Sequence, residues 1–172
     1  MEGAGRFGAK RLRVRATGIL VEEGRVLLVR QTLRERSRWN LPGGSLEVGE
    51  TLAACLVREM REETGLMVVP ADLLYVCDRF KELGDQVLDV SFLVRRASAL
   101  SFARARLGDE RLPEVRMVPI GELAHYGFSE RFARLVREGF PEKGSYQGDF
   151  HAFYGVGSAC CPRESMRAKA QG

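Results

Sequence analysis

The chain has 172 residues, 45% of them hydrophobic and 29% charged, with a formal net charge of +4. That length suits one domain with a real buried core, and no apolar run reaches the length of a bilayer span. Its four cysteines, Cys55, Cys77, Cys160 and Cys161, have neither zinc-ligand nor disulfide-scaffold spacing.

Residues 12–21 read as a first strand, with partial alternation running into an apolar stretch. Glu22-Glu23-Gly24 is a hairpin signal, and residues 25–31 (RVLLVRQ) form a second strand. Residues 32–38 read as a basic loop leading to Trp39. Leu41-Pro42-Gly43-Gly44 follows as a turn, whose glycines permit backbone conformations closed to other residues and bring carbonyls close to a ligand.

Residues 51–64 read as a helix. Thr51 is a good N-cap, no Pro or Gly interrupts the run, and Gly65 stops it as a C′ glycine. Leu52, Cys55, Leu56 and Met60 form its apolar stripe. Off that stripe lie Glu59, Glu62 and Glu63, whose i, i+3, i+4 offsets share one face. Like charges at these offsets repel, so the cluster asks for a cation among them. Hard divalent cations take such oxygen ligands. Glu50 stands at the helix start, where negative charge is favourable. Arg58 is placed to neutralise and orient Glu62 four residues on.

Further along, residues 68–80 hold an extended segment and residues 86–95 (QVLDVSFLVR) a strand able to pair with it. A short strand covers residues 115–118. An amphipathic helix spans residues 128–140, capped by Ser129 and burying Phe132, Leu135 and Val136. From Pro141 periodicity is lost, and residues 141–172 read as an irregular tail in which Tyr146, Phe150, Phe153 and Tyr154 could fold back or meet a partner. The order of elements fits a mixed sheet with helices on two sides.

From Gly44 the chain reads G-x5-E-x7-R-E-U-x-E-E-x-G-U, with U aliphatic: Gly44, Glu50, Arg58, Glu59, Met60, Glu62, Glu63, Gly65 and Leu66. This resembles the signature box of the Nudix hydrolases at every fixed position. The resemblance implies an α/β fold, the Nudix-type α/β/α sandwich with a mixed β-sheet, over residues 1–140. It also implies an enzyme that uses Mg²⁺ or Mn²⁺ to hydrolyse the pyrophosphate linkage of a nucleoside diphosphate joined to another moiety. By the same resemblance Glu59, Glu62 and Glu63 are metal-binding carboxylates, and the carbonyl of Gly44 is a backbone metal ligand. Glu50 supports the site, and Arg58 orients a metal-binding glutamate. Relatives take the general base from the box or from a downstream loop. Here Asp109, Glu110 and Glu114 occupy such a region, and Glu110 is the candidate base.

For substrate contacts, Arg30, Arg34, Arg36 and Arg38 precede the box and suit phosphates. Trp39 is a candidate for stacking on a base, set against packing into the fold. Tyr126 and Phe128 lie where relatives shape the leaving-group pocket. His125 and His151 have no paired ligand spacing. Markers of several Nudix subgroups are missing, Lys81-Glu82 standing where one of them carries a proline. The expected partner is therefore a nucleotide-type small molecule of unspecified identity. Residues 1–15 carry a net +4, so the remainder is near neutral. With no interleaved aromatics there, nucleic acid and membrane are not expected partners, and a homodimer is left open. No apolar signal core opens the chain, and the expected location is cytoplasmic. The alternative reading is a non-catalytic Nudix-fold module that binds a nucleotide or regulates.

Overall fold

A computed structural model describes residues 11–33, 36–80, 85–97 and 113–155, with the backbone alone for residues 32, 33 and 36. The strands are β1 (Leu12–Glu22), β2 (Arg25–Leu33), β3 (Arg36–Asn40), β4 (Gly43–Ser45), β5 (Val68–Phe80), β6 (Gln86–Arg96), β7 (Glu114–Pro119) and β8 (Ser145–Asp149). The helices are α1 (Leu52–Thr64), α2 (Glu130–Arg137) and α3 (Phe150–Tyr154), with a 3₁₀ turn over Ile120–Tyr126.

The strands run β3-β2-β1-β6-β5-β8, with β4 paired to β1 and β7 to β2. The sheet is mixed: β1 pairs with β6 and β5 with β8 in parallel, while β5 and β6 are antiparallel. The β1–β2 connection turns on Glu23 and Gly24, both at positive φ (48° and 70°), which is what a two-residue hairpin of matching twist requires.

Alternation along the central strands feeds two cores. Ala16, Leu20, Leu27 and Val29 pack with Cys55, Leu56 and Met60 of α1. On the other face, Ile19, Val26 and Leu28 pack with Phe132, Leu135 and Val136 of α2 and with Phe153 and Tyr154 of α3. This is an α/β/α sandwich. Gly18 lets α1 approach β1 closely, because a Cβ there would meet Met60 Sδ at 2.7 Å. Cys55 and Cys77 are buried core residues.

Two expectations change. Residues 32–38 are not one long loop: β2 continues to Leu33 and β3 starts at Arg36, paired in the register Gln31↔Arg38, Thr32↔Ser37 and Leu33↔Arg36. Ladder hydrogen bonds outweigh the loop-like composition, and a short charged strand is ordinary at a sheet edge. Beyond Pro141 the chain is not irregular throughout, since β8 joins the sheet beside β5 and α3 buries Phe150, Phe153 and Tyr154. Stacked aromatic side chains supply the apolar area that a periodic pattern did not announce. Among the described residues, no helix is long and apolar enough to cross a membrane.

Candidate active site

Helix α1 begins and ends as its sequence dictates. Thr51 accepts from the backbone N–H of Ala54, and Gly65 closes the helix in the left-handed region at φ 70°. Cys55, Leu56 and Met60 bury one side, which leaves the acidic side turned to the β4 loop.

Arg58 gathers the carboxylates there. Its Nε and Nη2 donate to the two oxygens of Glu50 at 2.8 and 2.9 Å, and Nη1 donates to Glu59 at 2.8 Å. The same Nη1 lies 3.4 Å from Glu62 Oε2, and Nη2 reaches the carbonyl of Ser45 at 3.3 Å. Glu50 answers the bidentate guanidinium with a carboxyl pKa lowered from 4.5 to about 2. The Glu59 carboxylate also presses on Gly44, where a Cβ would come within 2.0 Å of Oε1. Only glycine leaves room for that approach.

Glu63 turns a different way. One oxygen accepts from the Gly43 N–H at 2.8 Å and the other from Gln31 Nε2 at 3.0 Å. Burial pushes its carboxyl pKa up, against the pull of the Gly43 N–H, Arg15 and Gln31. Thus Glu59 and Glu62 share one cationic nitrogen, while Glu63 is pinned to the loop and to β2. Among the described residues, no three His, Cys, Asp or Glu side chains already converge as a metal cluster. The donors nonetheless suit a hard cation: carboxylates around one positive charge, beside a backbone left bare by Gly44.

Gln31 leads from Glu63 to a cavity of about 120 Å³. Arg15, Thr17, Gln31, Arg38 and Asn40 line its polar side, with Arg79. Leu41, Phe128, Phe150 and His151 complete it. Asn40 donates to Gln31 at 3.2 Å, so Asn40, Gln31 and Glu63 form one chain of hydrogen bonds.

The other candidates fall in different places. Arg38 lines the cavity, but Arg30 is held at 3.0 Å by Glu114 across the β2–β7 ladder. Trp39 is 6% exposed and belongs to the core, edge-on to Tyr126 with the Arg116 guanidinium over its ring; it packs and does not offer a free face to a base. Phe128 reaches the cavity, whereas the Tyr126 hydroxyl accepts from Arg116. Glu110, Asp109 and Arg34 lie outside the described residues, as does the side chain of Arg36. Sequence reasoning missed Arg15, Thr17, Gln31, Asn40, Arg79 and the cavity role of His151. The available signal was Asp89, a carboxylate set in an apolar strand (QVLDVSFLV), which demands buried partners.

The family model of the NUDIX domain matches residues 10–138. The chain belongs to the Nudix family. Over 61 residues it is 46% identical to the human 8-oxo-dGDP phosphatase NUDT18, a match covering 35% of this chain and 19% of that protein. Over 48 residues it is 44% identical to the phosphatase NudJ of Escherichia coli K12, covering 28% of this chain and 31% of that one. The chain thus spans about a fifth to a third of the length of these Nudix relatives. Among solved structures, a NUDIX hydrolase from Nitrosomonas europaea shares the fold with a TM-score of 0.59 at 24% identity, over 67% of this chain and 78% of that one.

Proposed function

We propose that the chain is a divalent-metal-dependent pyrophosphohydrolase acting on a nucleoside diphosphate linked to a further moiety. The observation that carries this reading is the pair Glu59 and Glu62 drawn around one cationic nitrogen, with Glu59 nested on Gly44. Glu59, Glu62 and Glu63, with the carbonyl of Gly44, would hold Mg²⁺ or Mn²⁺. Such an ion, when bound, neutralises phosphoryl oxygens and lowers the pKa of a coordinated water.

The chain's own residues do the rest. Glu50 fixes Arg58, and Arg58 fixes the rotamer of Glu59 and draws in Glu62. The Gly43 N–H and Gln31 hold Glu63. Arg38 supplies positive charge to the substrate from the cavity wall. Water attacks one phosphorus, the bridging P–O bond breaks, and the bridging oxygen leaves with the other phosphate. Glu110, in the downstream acidic run, is the proposed acceptor of the water's proton. The named activity of NUDT18, on 8-oxo-dGDP, supports a nucleoside diphosphate as the substrate class.

The test is a screen of nucleoside diphosphate derivatives with Mg²⁺ or Mn²⁺, alongside Glu62→Gln and Glu63→Gln. Both variants are expected to stay folded and to lose turnover by about 100-fold or more. Normal turnover in both rejects the site. Tight binding of one nucleotide with hydrolysis of none indicates a binding module instead.

A further inference from the structure

Glu63 differs from its acidic neighbours in what holds it. Arg58 sets its guanidinium on Glu50, Glu59 and Glu62, so those three share one positive charge. Glu63 accepts instead from two neutral donors, the Gly43 N–H at 2.8 Å and Gln31 Nε2 at 3.0 Å. Neutral donors fix a carboxylate without pairing its charge, which suits an oxygen ligand meant for a hard cation.

The two donors are not alike. Gly43 is rigid: its φ is 144°, and a Cβ there would meet the Ala16 carbonyl oxygen at 2.2 Å, so its N–H has one direction. Gln31 offers an amide, whose two ends are alike in shape and opposite in hydrogen-bond sense. Turned one way, it gives Nε2 to Glu63. Turned the other way, it sets a carbonyl oxygen against a carboxylate, two acceptors with no proton between them. Asn40 decides the direction. Its Nδ2 donates to Gln31 Oε1 at 3.2 Å, which holds that oxygen away from Glu63. Asn40 is itself anchored: it stands on β3 opposite Val29, between Trp39 and Leu41, which are 6% and 5% exposed.

We propose that Asn40 is a positioning residue of the metal site: by donating to Gln31 Oε1 it turns the Gln31 amide so that Nε2 faces Glu63 and aims that carboxylate at the divalent ion. The relay runs from β3 through β2 to α1, and Asn40 acts through Gln31 rather than on the ion. The proposal rests on the reading of Glu63 as a metal-binding carboxylate, and its test needs no turnover.

Asn40→Asp keeps the shape of the side chain, removes the donor and adds an acceptor. The Gln31 amide then turns Nε2 to the new carboxylate and Oε1 to Glu63, which loses its second anchor. Charge through space acts in the opposite sense, since one more negative group near the site draws a cation in. The sign of the change therefore separates the relay from plain charge.

The test is a titration of the full chain with Mn²⁺ alone, reading the free hydrated ion by electron paramagnetic resonance. Asn40→Asp is expected to weaken Mn²⁺ binding about tenfold or more, the scale for groups that orient a metal ligand, with the melting temperature kept. Gln31→Met should weaken it to a similar degree. Adding Asn40→Asp to Gln31→Met should weaken it no further, because a shared relay is lost once. Asn40→Ala, which unpins the amide and adds no charge, serves should Asn40→Asp fail to fold, and should weaken binding by a smaller factor. Mn²⁺ binding in Asn40→Asp as tight as in the unmodified chain or tighter, a loss that persists in the Gln31→Met background, or unchanged binding in Asn40→Ala overturns the proposal. Mn²⁺ uptake without turnover of any nucleoside diphosphate derivative would remove the hydrolase reading and leave the relay; no Mn²⁺ uptake by the unmodified chain removes both.

Discussion

The carboxylate of Glu59 occupies the space that a side chain on Gly44 would fill, with Oε1 2.0 Å from an ideal Cβ. Gly44 has no positive φ, so its backbone tolerates alanine and only the neighbour must yield. Gly44→Ala is expected to leave the melting temperature nearly unchanged, because a flexible glutamate end moves aside. Turnover should fall up to about 100-fold, the scale of a ~1 Å misplacement. Paired kcat/KM and melting measurements check this, and unchanged kinetics would count against a working role for Glu59 at that spot.

Arg58 bridges Glu50, Glu59 and Glu62 through a planar fork. Lysine is a point charge and cannot serve two carboxylates in that geometry. In Arg58→Lys the Mg²⁺ concentration giving half-maximal turnover should rise about 10-fold or more, as outer-sphere losses do. A metal titration of activity reads this directly, and an identical curve removes Arg58 from the machinery.

The Glu50 carboxyl is held at about 2 by Arg58, against 4.5 ordinarily. A depressed carboxylate stabilises the fold fully above the ordinary value and loses that contribution as pH falls towards the lowered one. Stability should therefore decline between pH 4.5 and about 2, and Glu50→Gln should flatten that part of the profile. Denaturant midpoints across this range decide the matter; parallel profiles for both proteins would refute it.

Phe153 is 1% exposed and meets the rings of Tyr75, Phe132 and Tyr154. Phe153→Ala should cost about 3–5 kcal/mol, measured by urea unfolding. A loss below ~1 kcal/mol, the scale of a surface change, would mean that α3 is not part of the core.

Much of the site was legible because its geometry is local. Thr51, the uninterrupted run after it and Gly65 define α1 by capping and propensity, and Arg58 meets its partners within a turn or two of that helix. The hairpin at Glu23-Gly24 was readable for the same reason. The cavity was not, since it depends on register. Arg15 meets Asp89, and Thr17 meets Ser91, only because β1 and β6 pair in parallel with those residues opposite each other. Nothing local announces that alignment. The fate of Trp39 and Arg30 was likewise set across strands, by Tyr126 and Arg116 for one and Glu114 for the other.

Strand β8 sits at the end of the strand order, against β5. Trimming the chain at residue 138 would bare the N–H and C=O groups of β5 along Tyr75–Asp78, together with Tyr75 and Leu74, which are now fully buried. An uncovered edge of that kind is a template for pairing with other chains, so a shortened protein should self-associate even with helix α1 intact.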